Sequence, residues 1–400
     1  MRERRELEAR VACARRPFRS DICNISNRER CKMKPSYDAN HFSNLTSCNR
    51  RTVLRGIAGS LATPALIAST DASGDALWGV TLAATESGTA QYEPSHRTVS
   101  VNGLRLHIAE SGQGPLVLLC HGFPECWYSW RHQLRALAEA GFHAVAPDMR
   151  GFGQTDAPED VGEYTIGHNV ADMVQLVLIL GEKQAIIIGH DWGAPVAWTS
   201  ALLRPDIFRA VVAMSVPYRA RSPVAPMKAL RDAGNTNFYQ LYFQTPGVAE
   251  AEFERDVDRS VRTLFYGTGI SLMMKPGMGF LADATIPQQL PSWLTDEDIS
   301  YFVETYKRSG YRGGLNWYRN IDRNWELSGG WEGMKIQQPA LFIAGSNDGV
   351  IKAMAKPLEE LPTTVPGLKK TLILPDSGHW IQQQRPAEVN AAILEFLRPA

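Results

Sequence analysis

Apolar and polar positions alternate on both sides of Asn102-Gly103, from Arg97 to Ile108. That is the pattern of a β-hairpin closed by a two-residue turn. Short unbroken apolar runs follow: Pro115 to Cys120, Ala185 to Ile188, Pro339 to Ala344 and Thr371 to Leu374. Runs of that length suit buried parallel strands. Between them the pattern takes the helical period, as in Ala194 to Leu203 and in the amphipathic segment Ala387 to Leu397, which Pro386 starts near its first turn. Strand and helix patterns alternate up to Val216. The alternation predicts an α/β protein with a mostly parallel, doubly wound sheet and crossover helices.

From Pro217 to about Gln337 the pattern changes. β-branched runs vanish, aromatic, acidic and helix-forming residues dominate, and a Gly/Pro/Met stretch from Lys275 to Pro291 interrupts them. This predicts a helical insertion over 217–337, a cap, between a first core segment at 95–216 and a second at 338–400. No internal repeat is present. With 44% hydrophobic residues the chain is long enough to bury a large core. Its 42 basic and 42 acidic residues leave no net charge, so no electrostatic footprint marks nucleic acid or an anionic membrane as a partner.

The chemistry concentrates just past the predicted strands. GHDWG at 189–193 places Asp191 on a strand-to-helix turn, between glycines whose missing Cβ atoms let two backbones pass closely. A nucleophile elbow of this kind normally presents a serine. A carboxylate there attacks an electrophilic carbon; the plainer alternative is that Asp191 caps the following helix. Asp348 ends GSND after one strand-like run and His379 lies in PDSGHW after another. Both therefore stand at the carboxyl ends of strands, where doubly wound sheets keep their sites. The order nucleophile, acid, histidine is that of α/β-hydrolases. HGFPE at 121–125 follows a third such run, and in this fold the loop there and the residue after the nucleophile each offer a backbone N–H to an oxyanion. The donors are then Phe123 and Trp192. Their side chains, with Trp380, are candidates for the pocket wall.

Together HGFPECWYSWRHQ (121–133), DMRGFGQTDAP (148–158), GHDWG, FYQLYFQTPGVAEAE (238–252), NWYRN (316–320) and SGHW (377–380) resemble the soluble epoxide hydrolases of the α/β-hydrolase superfamily, over about 300 residues from near Ser95 to the C-terminus. The resemblance implies the α/β-hydrolase fold with an inserted helical cap, and two cap tyrosines that hold the epoxide oxygen. The matching positions are Tyr239 and Tyr318. Tyr242 is the neighbour of Tyr239 one helical step away. The implied reaction opens an epoxide on Asp191 to a covalent ester, which a water activated by His379, oriented by Asp348, hydrolyses to a vicinal diol. The partners implied are a small apolar epoxide and water. The same Asp nucleophile would also serve a haloalkane dehalogenase, and the scaffold alone would serve a non-catalytic ligand-binding protein. Phe123, Tyr239 and Tyr318 favour the epoxide. No cofactor or metal is called for: there is no phosphate-binding glycine loop or metal-ligand spacing, and Gly151-Phe152-Gly153 reads as a turn. Two positions depart from the family pattern: Cys126 stands where a serine is usual, and Gly349 where a bulky apolar residue is expected.

Residues 1–94 read as a leader. NRRTVLRG at 49–56, then the uncharged stretch Gly56 to Thr70, resemble a twin-arginine export signal within 49–74; the stretch is too short for a comfortable membrane span. The expected location is exported or periplasmic if that signal is used, and cytoplasmic otherwise. Residues 1–32, with nine arginines and no hydrophobic period, fit upstream sequence, with translation expected from Met33. Cys13, Cys23, Cys31 and Cys48 lie in the leader, and Cys120 and Cys126 are expected as free thiols.

Overall fold

The structure is a computed structural model in which residues 92–398 are described. The twin-arginine pattern, residues 1–32 and the four leader cysteines lie outside the described residues.

One sheet of eight strands organises the core: β1 (Ser95–Val101), β2 (Leu104–Ser111), β3 (Leu116–Cys120), β4 (His143–Pro147), β5 (Ala185–His190), β6 (Phe208–Met214), β7 (Ala340–Gly345) and β8 (Leu368–Leu374). Their order across the sheet is β1-β2-β4-β3-β5-β6-β7-β8. β1 and β2 form the hairpin, β2 pairs antiparallel with β4, and every pairing beyond that is parallel. The hairpin turns on Asn102 at φ 47° and Gly103 at φ 82°, both in the left-handed region that a two-residue turn of this twist demands. β8 begins at Leu368, earlier than its apolar run, because an edge strand can carry Lys369 and Lys370 in solvent.

Successive residues of the central strands feed opposite faces of the sheet. Val117, Leu119, Ile186 and Ile188 pack on one face against Leu134 and Leu137 of helix Arg131–Glu139 and Val389 and Ile393 of helix Pro386–Leu397. Leu118, Cys120 and Ile187 pack on the other, with Met173 and Leu176 of helix Ile166–Ile179 and Val196 of helix Gly193–Leu203. β3 and β5 are buried on both faces, which is why their sequences are continuous apolar runs.

Between β6 and β7 the chain forms no strand among its named elements. It runs through helices Pro226–Asp232, Tyr239–Tyr242, Val248–Glu254, Val257–Tyr266, Asp296–Ser309, Arg312–Arg319 and Ile321–Leu327. The Gly/Pro/Met stretch is irregular, tied by isolated bridges Phe238–Met273 and Thr268–Thr285. Helix Asp296–Ser309 is set by a capping box between Thr295 and Asp298, acids in its first turn and Lys307 and Arg308 in its last. Core and insertion are held together by polar contacts as well as packing. Asp298 takes the Arg131 guanidinium at 3.1 Å and the Tyr128 hydroxyl at 3.0 Å, Tyr128 stacks on Tyr301 at 4.2 Å, and the Trp317 indole N–H donates to Arg150 O at 3.0 Å. No helix of the described residues is long and apolar enough to cross a membrane.

Candidate active site

β5 delivers the chain to Asp191, which is non-glycine yet sits at φ 50°. That strained conformation turns the backbone sharply into helix Gly193–Leu203 and leaves the carboxylate standing on the turn. The flanking glycines are required by space. A Cβ on Gly189 would lie 2.0 Å from Gly193 O, and one on Gly193 would lie 1.9 Å from Cys120 O. The helix-cap alternative fails, since Trp192 is the N-cap residue and the helix has no side-chain cap. The Asp191 carboxylate turns instead to the HGFPE loop, where its Oδ1 accepts the Phe123 N–H at 2.8 Å. Gly122 makes that approach possible. A Cβ there would meet Asp191 Oδ1 at 2.3 Å and Trp192 N at 2.7 Å, so both proposed oxyanion amides border one small space with the carboxylate.

The other carboxylate oxygen faces the histidine. Asp191 Oδ2 is 3.5 Å from His379 Nε2, while His379 Nδ1 lies 3.1 Å from both oxygens of Asp348. Because a carboxylate only accepts, Nδ1–H donates to Asp348 and Nε2 is left toward Asp191. Asp348 is itself fixed by capping helix Gly349–Ala353, accepting the Val350 N–H at 2.8 Å. Burial works to depress the His379 pKa, but the Asp348 and Asp191 carboxylates outweigh it and hold the imidazolium well above its ordinary range. Burial likewise works to raise Asp348, and His379 outweighs it, so its carboxyl lies below the usual value.

The cap brings Tyr318 and Tyr239 to the cavity that Asp191 lines. Both line a cavity of about 270 Å³ together with Asp191 and Trp192, their rings 6.0 Å apart and inclined at 74°. Burial raises the pKa of each phenol, and the nearby Asp191 charge adds to it, so both stay protonated. Tyr242 is excluded from this role, as its hydroxyl donates to Glu252 at 2.9 Å.

Two pocket assignments need correction. Trp192 lines this cavity, but Phe123 and Trp380 are absent from its wall. The Phe123 ring is 5% exposed and enclosed by Phe243, Tyr311 and Tyr318, and Trp380 stacks on Phe265 at 4.9 Å while its edge meets His379. Position beside a catalytic residue did not decide which way these large rings point; the aromatic neighbours supplied by the cap did. The departures from family pattern are also placed. Cys120 and Cys126 are free and buried, and Cys126 begins the turn Trp127–Trp130 with no side-chain cap, a bond that a serine could make. A Cβ on Gly349 would meet nothing within 4 Å, so the bulky residue usual there has been replaced by open space.

A second histidine pair, not read from the sequence, lies beneath the first. His190 Nδ1 is 2.6 Å from Glu125 Oε2, both side chains fully buried, and His190 Nε2 is 2.8 Å from the His379 carbonyl oxygen. Ser215 donates to that same carbonyl at 3.0 Å, and Gln382 donates to the other Glu125 oxygen at 2.7 Å. The signal was present: HGFPE and GHDWG each carry a charged or titratable residue inside a segment otherwise destined for the core.

Fold and elbow together define a hydrolase of the α/β-hydrolase fold, and the family model for the alpha/beta hydrolase fold matches residues 115–386. Within it the relatives are specific. The chain is 42% identical over 315 residues to "Epoxide hydrolase A" of Mycobacterium tuberculosis, covering 76% of this chain and 97% of that protein. Two solved structures are similar: an epoxide hydrolase from an endophytic Streptomyces (TM-score 0.74, 45% identity, 76% of this chain and 95% of that one) and Epoxide Hydrolase A from Mycobacterium thermoresistibile (TM-score 0.73, 46%, 76% and 98%). The chain belongs to the epoxide hydrolase family.

Proposed function

We propose that the enzyme converts epoxides to vicinal diols through a covalent ester on Asp191. The observation that carries the reading is the division of labour on that carboxylate: one oxygen accepts the Phe123 amide, the other lies 3.5 Å from His379 Nε2, and two protonated phenols line the same cavity as the carboxylate. Asp191 Oδ2 attacks one epoxide carbon while the C–O bond breaks, and Tyr239 or Tyr318 supplies a proton to the departing oxygen. Oδ1 becomes the ester carbonyl, already lying at the Phe123 N–H. Esterification removes one of the two carboxylate charges that keep His379 protonated, so its Nε2 proton passes through solvent to the tyrosinate and Nε2 becomes a base for water. Hydroxide adds to Cγ, the oxyanion on Oδ1 is held by the Phe123 and Trp192 amides, and the Cγ–Oδ2 bond breaks. The diol alkoxide takes its proton from His379, and the Asp191 carboxyl proton passes back to Nε2, which restores the resting charged pair. Tyr239 and Tyr318 are oxygen-directed donors and favour an epoxide over a haloalkane, whose leaving halide takes no proton.

Single turnover in isotopically labelled water tests this. The first diol should carry the unlabelled enzyme oxygen, and the label should appear in the peptide bearing Asp191. Label in the first diol and none in Asp191 overturns the covalent route. Export of the enzyme is a separate proposal that rests on the pattern around Arg50 and Arg51. Peptide mapping of the native N-terminus checks it.

A further inference from the structure

The two cap phenols are carried by elements of different rigidity. Tyr318 belongs to helix Arg312–Arg319, in which Gly313 to Tyr318 are all buried. That helix is seated on the core: a Cβ on Gly313 would lie 1.9 Å from Gly151 O, and the Trp317 indole N–H donates to Arg150 O at 3.0 Å. Tyr239 opens the single turn Tyr239–Tyr242, where none of the four residues is fully buried. One turn of helix does not hold itself. The Tyr239 N–H donates to Leu272 O at 2.9 Å and its ring stacks on Phe280 at 5.4 Å, but both partners belong to the irregular segment between helices Val257–Tyr266 and Asp296–Ser309.

One half-buried side chain joins the loose turn to the seated helix. Gln244 Nε2 donates to Gln240 O at 2.9 Å and to Tyr318 O at 2.9 Å. Both partners are carbonyls, so only the amide nitrogen can face them, and both of its hydrogens are spent. Gln240 stands four residues before Gln244, on the same side of the turn, and its own Nε2 donates to the Tyr239 hydroxyl oxygen at 3.2 Å. That oxygen is thereby occupied as an acceptor, and its hydrogen is left to be given away. The contacts run unbroken from the Tyr318 main chain through Gln244 and Gln240 to the Tyr239 hydroxyl. Arg319, paired with Glu250 at 2.7 Å, adds a bond to Phe243 O at 3.2 Å. Proton supply to an opening epoxide depends on such placement, since a shift of about 1 Å in a reacting group can cost roughly a hundredfold in rate.

We propose that Gln244 is a positioning residue of the reaction: it ties Tyr239 to the seated helix of Tyr318 and so sets the spacing of the two phenols at the epoxide oxygen. This rests on Asp191 opening epoxides as argued above.

The test follows the ester on Asp191 by rapid-quench mass spectrometry, in a single turnover of the faster of styrene oxide and epoxyoctane. Gln244→Met keeps the length of the side chain and loses both donors; it should slow ester formation about tenfold or more and leave ester hydrolysis within about twofold of wild type. Gln244→Glu keeps the shape but only accepts, and should slow ester formation at least as much. Both rates are read in one sample and neither depends on the amount of folded enzyme, so a loss of stability does not imitate the result. The effect of Gln244→Met should vanish in the Tyr239→Phe background, where no proton is left to place, and persist in Tyr318→Phe. Equal slowing of both half-reactions, a full rate of ester formation in Gln244→Met or Gln244→Glu, or the same slowing in the Tyr239→Phe background overturns the proposal. Those results leave the covalent route standing, whereas no ester in wild type with either epoxide removes the function on which the proposal rests.

Discussion

Two carboxylate–histidine pairs lie almost back to back, with the His190 and His379 rings 4.9 Å apart, yet they are placed for different work. In the deeper pair His190 has an acceptor at each nitrogen, Glu125 on one side and the His379 carbonyl on the other, and neither side chain touches solvent. In the upper pair His379 spends Nδ1 on Asp348, and its Nε2 lies 3.5 Å from Asp191 Oδ2. The same two side-chain types are thus separated by what the second nitrogen meets, a main-chain oxygen in the lower pair and the Asp191 carboxylate in the upper. The lower pair grips the main chain of the upper histidine, which suits a supporting shell for a site that must hold its geometry closely.

The largest expected effect separates the pairs by chemistry. His379→Gln should leave attack by Asp191 intact but remove the base for ester hydrolysis, lowering turnover by about a thousandfold or more. Mass spectrometry should then find the Asp191 peptide heavier by one substrate. Loss of turnover without an adduct breaks the division of roles.

Removing a partner of the lower pair should show in stability. Glu125→Leu leaves His190 buried without its carboxylate and releases Gln382, costing about 3–5 kcal/mol by urea unfolding. A cost below about 1 kcal/mol would mean that the pair is not a structural post. A smaller kinetic effect is expected in the cap: Tyr239→Phe and Tyr318→Phe should each slow ester formation about tenfold to a hundredfold, with the ester hydrolysis rate changed less. Equal slowing of both half-reactions would assign the phenols to positioning instead of proton supply.

The upper pair and the Asp191 beside it were legible in the sequence because each of the three follows a short apolar strand that can be recognised by itself: Asp191 after β5, Asp348 after β7, His379 after β8. The hairpin was legible for the same local reason, through Asn102-Gly103. The lower pair was not, since its geometry joins residues 65 apart and depends on Gln382 from a third segment. The cap tyrosines were found only through family resemblance; nothing local distinguishes Tyr239 from Tyr242 until Glu252 is seen to take the latter. The wrong assignments, Phe123 and Trp380 as pocket wall, share one cause. Sequence located their backbones correctly at the site, but ring direction was set by Phe243, Tyr311 and Phe265 arriving from the insertion.

The mildest perturbation, pH alone, should sharpen the contrast. Burial acts to raise the Glu125 pKa, but His190 outweighs it and brings the carboxyl to about 2. A depressed carboxyl contributes stability that is fully present above its unfolded value, about 4.3, and lost as pH falls toward 2. The Asp348 half of the upper pair follows the same sign, from the ordinary carboxylate range downward. His379 has the opposite one. Its raised pKa gives a contribution that is complete below about 6.5 and disappears as pH climbs through its folded value. Wild type should therefore lose stability on both flanks, and Asp348→Asn, which keeps the shape but removes the charge facing Nδ1, should flatten the alkaline loss while leaving the acid loss due to Glu125 in place. Unfolding midpoints in urea across the pH range measure both. If the alkaline loss were unchanged in Asp348→Asn, the carboxylate pairing would not be what holds His379 in its charged form.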